Sequence, residues 1–304
     1  MLEHLHGPTI KFIPFAFRLS GCGFRGHHHH NAIEHGGACI PQAQNARQFC
    51  KERPSKLAIS FLKTMAERAL RIAATADIHY GKHSRGALRD AFAEISHSAD
   101  MLLFCGDLTD YGLPEEAEEL VADIRAAVTI PMLAVLGNHD FESGQAELVG
   151  RVLDGAGVNV LNGGAIEIGG IGFAGVPGFG GGFGRRMLNA WGEPLIKQFV
   201  QESIDHAVRL EQALVKLQTD RRVAVLHYSP IRATLEGEDP EIFAFLGSSR
   251  LEEPINRFRV SAVFHGHAHN GTLNGATATG IPVYNVSAPA ALQKSGKPYR
   301  IIEL

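Results

Sequence analysis

The sequence predicts an α/β fold, because strand-like runs alternate with helix-like stretches and polar blocks stand at the ends of the runs. Short apolar runs of strand length recur along the chain, and stretches with apolar residues at helical spacing lie between them. Blocks of Asp, Asn or His residues stand at or next to the ends of five such runs. Because alternating strands and helices gather residues that follow different strands into one crevice, the pattern also predicts a functional site there.

Five runs are predicted to be strands buried on both faces, because they are apolar almost throughout. They comprise residues 72–76, 101–105, 132–136, 223–226 and 260–264. Three patterns predict the helices between them. Leu88, Phe92 and Ile95 recur at helical spacing, Pro114 suits the first turn of a second helix, and an apolar stripe runs over residues 202–217.

Shorter strands are predicted to form a second sheet. Residues 158–161 and 165–168 flank Asn162-Gly163-Gly164, which favours a hairpin turn between them, and residues 171–176 follow. Near the C-terminus, short strands separated by Gly and Pro are predicted at residues 272–274, 277–279, 283–287 and 299–304.

The composition narrows the classes of protein and partner. The hydrophobic share of 45% and the charged share of 20% are ordinary for a globular protein. A net charge of −3 argues against a nucleic-acid partner, and the absence of a long apolar stretch argues against a membrane span. Beyond residue 64 the only cysteine is Cys105, so no disulfide can form within that region and a cytoplasmic location is expected. The oligomeric state stays open.

Residues 1–64 show little periodicity. We predict an N-terminal extension that is disordered or lies upstream of a true start at Met65, because it cannot bury enough apolar surface to order itself. Two other interpretations stay open. One is a metal-loading tail that uses the run of histidines at residues 27–30. The other is a lipoprotein cleavage site ending at Cys22, although the segment before it lacks the apolar core of a signal.

The five polar blocks carry side chains typical of metal ligands. Taken singly, each has an ordinary explanation, such as a tight turn or a histidine at the end of a strand. Together they offer enough oxygen and nitrogen for two metal ions that activate a shared water, which suits hydrolysis of a phosphate ester. His265 is predicted to be a strand-end residue and not a ligand. The blocks are Asp77-Ile78-His79, Gly106-Asp107-Leu108-Thr109-Asp110, Gly137-Asn138-His139-Asp140, His227 and Gly266-His267-Ala268-His269.

In order and spelling, these blocks resemble the calcineurin-like metallophosphoesterase superfamily. Its pattern is D-x-H, G-D-x-x-D, G-N-H-[DE], a lone His and G-H-x-H, and all five parts are present. The resemblance implies a calcineurin-like phosphoesterase domain over residues 65–304. It also implies a four-layer αββα sandwich, in which helices flank two mixed β-sheets.

The resemblance further implies two metal sites that share Asp107 as a bridge. Mixed histidine, carboxylate and amide ligands suit Mn²⁺, Fe²⁺ or Zn²⁺ better than Mg²⁺. The first site would use Asp77, His79, Asp107 and His269, and the second would use Asp107, Asn138, His227 and His267.

Three residues of the blocks are also expected to serve the reaction itself. The resemblance places His139 over the substrate, where it assists the leaving oxygen, with Asp110 as the carboxylate that orients its ring. Asn138 would stabilise the phosphoryl oxygens as well as bind metal.

The predicted function is therefore a metal-dependent phosphoric ester hydrolase, with a small nucleotide-type diester as the first choice of substrate. One departure from the family matters, because His227-Tyr228-Ser229-Pro230 replaces an H-H-P-P-like spelling that is common in its small phosphodiesterases. A nucleotide pyrophosphatase and a phosphomonoesterase therefore stay open. So does a non-catalytic metal-binding scaffold, which is a function of another class.

A glycine-rich segment at residues 175–186 has two interpretations. It is either a mobile surface loop or a flap beside the metals. In the second case, Phe179 or Phe183 would stack on a base, and Arg185 or Arg186 would pair with phosphate oxygens.

Overall fold

The computed structural model describes residues 69–304, so the predictions for residues 1–64 and for the start of the domain lie outside the described residues. Within this part, the strands lie in two sheets. They are β1 (Arg71–Thr75), β2 (Met101–Cys105), β3 (Met132–Val135), β4 (Val158–Val160), β5 (Gly164–Ile168), β6 (Ile171–Gly175), β7 (Arg221–Val225), β8 (Ala262–His265), β9 (Asn274–Ala276), β10 (Pro282–Asn285) and β11 (Arg300–Glu303).

Helices fill the connections between the strands. They are α1 (Arg89–Ser98), α2 (Pro114–Ala127), α3 (Asn138–Phe141), α4 (Ala146–Asp154), α5 (Pro194–Lys216), α6 (Phe243–Leu246), α7 (Glu252–Arg257) and α8 (Ala288–Ser295). Short 3₁₀ turns occur at Gly184–Arg186, Arg232–Leu235 and Pro240–Ile242. None of the helices in residues 69–304 has both the length and the apolar character to cross a bilayer.

Both sheets are mixed. The first has the order β11-β1-β2-β3-β4, in which β1 to β4 are parallel and β11 is antiparallel to β1. The second has the order β5-β6-β7-β8-β10-β9, with a parallel centre and an antiparallel strand at each edge. Parallel central strands bring their carboxyl ends to the same edge of each sheet, which is where the polar blocks lie.

Alternation along the strands produces four layers. In β2, Met101 and Leu103 belong to the core between the two sheets, whereas Leu102 and Phe104 belong to the core beneath α1, α2 and α4. In β7, Val223 faces the core between the sheets, and a third core lies between the second sheet and α5. The helix–sheet–sheet–helix arrangement confirms the predicted fold.

The five central strands are confirmed to within two residues. Helix α5, in contrast, begins at Pro194, eight residues before the predicted start at Glu202. Its first turns are solvent-exposed, and Leu195 is 76% exposed. A buried apolar stripe therefore does not mark this end of the helix.

The predicted hairpin between residues 158–161 and 165–168 is wrong. Strand β4 pairs with β3 in the first sheet, whereas β5 pairs with β6 in the second, so the chain crosses between sheets. Leu161 starts the crossing, and its N–H donates to the carbonyl of Ala134 (2.7 Å). The hairpin lies one connection later, where Gly169 and Gly170 both have positive φ. Both connections contain Gly-Gly, so local turn chemistry does not distinguish a return from a crossing.

Two of the predicted C-terminal strands are also corrected. The strand predicted at residues 272–274 lies at Asn274–Ala276, and residues 277–279 form a turn. The hydroxyl of Thr277 accepts hydrogen bonds from the N–H groups of Thr279 (3.4 Å) and Ile281 (3.2 Å). Such local side-chain bonds compete with strand pairing, which explains why a β-branched stretch turns here.

Candidate metal centre

The candidate ligands converge from both sheets. In the first sheet, Asp77 and His79 follow β1, Asp107 follows β2, and Asn138 follows β3. The remaining ligands come from the second sheet, where His227 follows β7 and where His267 and His269 follow β8. The centre therefore lies where the carboxyl ends of the two sheets meet, whereas the sequence analysis drew the second sheet from the shorter strands alone.

Four candidate ligands have a left-handed backbone. The φ angles are 56° at Asp77, 42° at His79, 51° at Asp107 and 69° at His267. Among the described non-glycine residues, only Arg259 shares this feature. Such conformations cost about 1–3 kcal/mol each and persist where surrounding contacts hold them, which is typical of functional sites.

Glycines in the blocks provide room for ligands that belong to other blocks. A Cβ on Gly137 would lie 2.2 Å from Asp107 Oδ1 and 2.8 Å from His227 Cε1. A Cβ on Gly266 would lie 2.7 Å from Asp77 Oδ2. These distances are far shorter than normal contacts, so a larger residue at either position would displace a carboxylate ligand.

One cluster joins Asp77, His79 and His269, whose potential ligand atoms all lie within 4.8 Å of one another. His269 Nε2 lies 3.2 Å from Asp77 Oδ1. The Nδ1 atom of His79 is buried and has no hydrogen-bond partner among the described residues. A buried nitrogen without a partner is costly, and coordination of a cation would satisfy it.

A second cluster joins Asp77, Asp107, His227 and His267, again within 4.8 Å. His227 Nδ1 lies 2.9 Å from the carbonyl oxygen of Cys105, so in the neutral ring Nδ1 carries the proton and donates it there. Nε2 then presents a lone pair 3.4 Å from Asp107 Oδ1 and 2.9 Å from the oxygen assigned to the Asn138 amide. Electron-pair donors facing one another in this way fit a metal cation between them.

Asp77 belongs to both of these clusters, whereas the family resemblance implies that Asp107 is the bridge. Both carboxylates are almost fully buried, with exposures of 3% and 1%. Which of the two bridges the metals stays a prediction, and the residues present fit a two-metal centre in either case.

The protonation states of Asp77, His79 and His267 favour metal binding at neutral pH, whereas the hydrogen bond to Asp77 raises the pKa of His269. Burial opposes ionisation of Asp77, but the hydrogen bond from His269 and the nearby histidines lower its pKa to about 2. Burial, together with His227, lowers the pKa of His267 to about 3, and burial also lowers the pKa of His79. Asp77 is therefore ionised and these two rings are neutral, so protons do not compete with a metal there.

His139 lies beside this centre. Its ring packs against His79, with centroids 4.4 Å apart, and its main-chain N–H donates to Asp107 Oδ1 (2.8 Å). The ring Nδ1 contacts the main-chain oxygen of Asp110 (2.7 Å), while the Asp110 carboxylate lies 3.9 Å from His79 Nδ1. Asp110 thus holds His139 through its main-chain carbonyl, and its carboxylate also lies within 4.8 Å of a ring nitrogen of each histidine. In the neutral ring, Nδ1–H donates to that carbonyl and Nε2 is left to exchange a proton.

Asp140 has a structural role that the sequence analysis did not assign. Its buried carboxylate accepts hydrogen bonds from the N–H groups of Leu108, Thr109 and Gly137, and from the Thr109 hydroxyl. It therefore ties the Asp107 block to the Asn138 block. The sequence did carry a signal for this role, because Asp140 is the acidic residue that ends the G-N-H-[DE] pattern.

His265 is confirmed as a strand-end residue. It ends β8 and is fully buried, and its ring nitrogens contact the Gly266 carbonyl (2.7 Å) and the Thr234 hydroxyl (2.8 Å). Both nitrogens have partners within the protein, so neither is left for a metal.

The glycine-rich segment is held against its neighbours. Residues 177–182 are buried except for a half-buried Phe179, and the N–H groups of Gly181 and Gly182 donate to the carbonyls of Ala244 (2.7 Å) and Gly247 (2.9 Å). The expectation of a mobile surface loop therefore does not fit this part of the segment.

The aromatic and basic residues of that segment lie in different surroundings. Phe179 lines the cavity beside the ligands, whereas Phe183 packs against an apolar cluster that includes Leu235 and Phe243. Arg185 and Arg186 are exposed on a 3₁₀ turn and do not line this cavity. Their pairing with phosphate stays a prediction.

Two cavities border Asn138. One, of about 250 Å³, is lined by Phe141, Phe179 and Tyr228 together with Glu202 and His206. The other, of about 210 Å³, also reaches His267, and its walls include Phe179, Phe199, Tyr228 and Phe245. The sequence analysis named Tyr228 only within the departure after His227. It missed Phe199 and Phe245, which lie outside the ligand pattern and carry no signal of their own.

Comparison with known proteins places these features in a family. The family model described as calcineurin-like phosphoesterase matches residues 70–271. No curated protein matches the chain in sequence.

Several solved structures are similar to this one. Phosphopantetheinyl hydrolase from Mycobacterium tuberculosis superposes with a TM-score of 0.55 and 15% identity, over 76% of this chain and 95% of its own. TT1561 of Thermus thermophilus gives a TM-score of 0.48 and 17% identity, over 73% and 91% of the two chains. GAP50, the anchor in the inner membrane complex of Plasmodium, gives a TM-score of 0.47 and 12% identity, over 73% of this chain and 72% of its own. At 15% identity, the likeness to the hydrolase concerns the fold alone.

Proposed function

The chain belongs to the calcineurin-like phosphoesterase family and is a metal-dependent phosphoester hydrolase, and we propose that its substrate is a small nucleotide-type phosphodiester. The observation that carries the choice of a diester is the charge of the cavities that border Asn138. Their described lining includes Glu202 but no Lys or Arg. Monoesters and pyrophosphates carry more negative charge than a diester, and proteins commonly bind such groups with Arg or Lys.

Seven residues would hold two divalent metal ions. When bound, such ions polarise phosphoryl oxygens and lower the pKa of a water molecule. Mixed nitrogen and oxygen donors support Mn²⁺, Fe²⁺ or Zn²⁺ as the metals. The residues are Asp77, His79, Asp107, Asn138, His227, His267 and His269.

The protein side chains would position the ester and move one proton. The Asn138 oxygen faces His227, which leaves its amide N–H groups to donate to a phosphoryl oxygen. His139 is held at Nδ1 by the Asp110 carbonyl, so its Nε2–H, when protonated, can donate to the leaving oxygen. Buried Asp107 fixes the main chain of His139 and thereby the reach of the ring.

The test is hydrolysis of bis-(p-nitrophenyl) phosphate by metal-stripped protein after repletion with Mn²⁺, Fe²⁺ or Zn²⁺ in turn. We expect turnover with at least one metal. Inactivity with all three would refute the proposed phosphodiesterase activity, and protein that stays metal-free in excess Mn²⁺ would favour the scaffold alternative.

A second assay tests the choice of substrate. The rates with cyclic AMP, a dinucleotide pyrophosphate and a nucleoside monophosphate should rank the diester first. A strong preference for the monophosphate would overturn that order.

We also propose a cytoplasmic location, because Cys105 is a free, buried thiol and the only cysteine in the described part of the chain. Cell fractionation tests this, and recovery of the protein outside the cytoplasm would refute it.

A further inference from the structure

The cavities beside Asn138 are walled by aromatic rings that pack on one another. The ring of Phe179 lies 4.9 Å from that of Phe199 and 5.8 Å from that of Tyr228, between centroids. Phe245 extends the same wall and is 58% exposed, with its ring 6.1 Å from Phe199. Exposed ring surface next to a catalytic centre suits a flat, apolar part of a ligand.

A single carboxylate stands in this aromatic lining. Glu202 lies on α5, lines the cavity of about 250 Å³ with Phe141, Phe179 and Tyr228, and its side chain is 47% exposed. The Glu202 side chain therefore remains accessible to a ligand in the cavity.

Two neighbours fix the position of this carboxylate. The N–H of Gly178 donates to His206 Nδ1 (3.1 Å), so the neutral ring carries its proton on Nε2. That Nε2 lies 3.1 Å from Glu202 Oε1, and Arg209 Nη2 donates to the same oxygen (2.9 Å). Among the described residues, Oε2 has no donor, so one acceptor atom is left for a ligand.

We propose that this cleft binds a heteroaromatic ring that carries an exocyclic amine, with Phe179 and Tyr228 contacting the ring and Glu202 accepting a hydrogen bond from the amine. The inference rests on the proposed function, because the ring is the organic part of the phosphodiester. It names Glu202 as a residue that determines specificity.

The charges favour a neutral amine over two other ligands. Arg209 already balances the charge of Glu202, so a fixed cation gains little there. A ring with a carbonyl in place of the amine would point an acceptor at a carboxylate that only accepts, which disfavours it. Adenine and hypoxanthine differ in this way at C6, where one has an amine and the other an oxo group.

The experiment measures binding of adenosine and inosine to the Mn²⁺-repleted protein by ligand-observed NMR titration. Neither nucleoside contains a phosphoester, so the result does not depend on turnover. We expect adenosine to bind about tenfold more tightly than inosine, the ratio that corresponds to one hydrogen bond to a charged acceptor.

Three variants assign the effect. Glu202→Gln offers both a donor and an acceptor, so the ratio of the two dissociation constants should fall to near one. Phe179→Leu should weaken both nucleosides by a similar factor, about tenfold, and keep the ratio, because it removes ring contact alone. Glu211→Gln, on the same helix but paired with Arg257, is the matched control and should change neither affinity.

Several results would overturn the inference. They are equal affinities in the wild-type protein, a ratio that Glu202→Gln does not change, and no detectable binding of either nucleoside. Hydrolysis of bis-(p-nitrophenyl) phosphate by the same preparation separates these failures from failure of the proposed function, since that activity requires no amine on the substrate.

Discussion

Gly137 offers the sharpest test of how the centre is built. Its backbone angles, φ −112° and ψ −178°, are open to any residue, so alanine at this position adds no backbone strain. The added Cβ would lie 2.2 Å from Asp107 Oδ1 and 2.4 Å from the Asp107 nitrogen. Gly137→Ala therefore perturbs the centre by contact alone.

The size of the effect follows from those distances. The Cβ would lie about 1 Å inside ordinary contact with the carboxylate, so Asp107 has to move by roughly that amount. Misplacement by about 1 Å costs on the order of a hundredfold in rate, and overpacking costs about 1–3 kcal/mol of unfolding free energy. We expect folded Gly137→Ala protein with reduced metal content and about a hundredfold lower kcat/KM.

The assay combines metal analysis, turnover of bis-(p-nitrophenyl) phosphate and urea unfolding in the presence of a chelator. Gly150→Ala is the matched control, because Gly150 lies in α4 and a Cβ there meets no atom within 4 Å. The control should keep its activity and gain about 0.5–1 kcal/mol of stability. Full metal content and a wild-type rate in Gly137→Ala would refute the claim that this glycine makes room for Asp107.

Three further predictions concern charge and protonation. Asp107→Asn should release at least one metal and abolish turnover. His139→Ala should keep both metals, and its rate should fall by about two to four orders of magnitude on an alkyl ester and by much less on a nitrophenyl ester. Equal losses on the two esters would show that His139 does not protonate the leaving group. Burial lowers the pKa of His265 from 6.5 to about 4, so the unfolded chain binds the extra proton between these values. The unfolding free energy of metal-free protein should therefore fall by roughly 3 kcal/mol from this residue as pH drops from 6.5 to 4, and a His265→Gln protein with an equally steep pH dependence in urea unfolding would contradict the assignment. If Arg185 and Arg186 bind phosphate, replacing both with alanine should raise KM about tenfold, and an unchanged KM would remove them from the site.

The convergence of the candidate ligands was predictable because its information is local. Each block combines a strand end, a turn-forming residue and a metal-binding side chain within a few positions, and parallel strands bring such ends together. The sequence does not state how the atoms share contacts. Asp77 lies in both clusters, and Asp110 meets His139 through its main chain, because these details depend on distances between blocks that are far apart in the chain.

The misplaced elements have a related cause. The Gly-Gly connection after β4 permits the next strand either to pair with β4 as a hairpin or to join the other sheet. Only the tertiary fold decides between them, and here β5 pairs with β6 in the second sheet. The aromatic wall could not be predicted for the same reason. Phe199 lies on α5 and Phe245 lies on α6, and only the tertiary fold brings their rings together. Single exposed aromatic residues carry no sign in the sequence that they share a cavity.

The origin of the ligands from both sheets couples metal supply to the amount of folded protein. Residues that follow β1, β2 and β3 face residues that follow β7 and β8, so the complete donor set exists only when the two sheets are docked. A metal that binds only this state stabilises it by about 2.7 kcal/mol when its free concentration is a hundred times its dissociation constant. In a metal-starved cell the undocked chain would therefore be more populated, and proteases would remove it faster. Metal scarcity would thus lower the abundance of the protein as well as its activity.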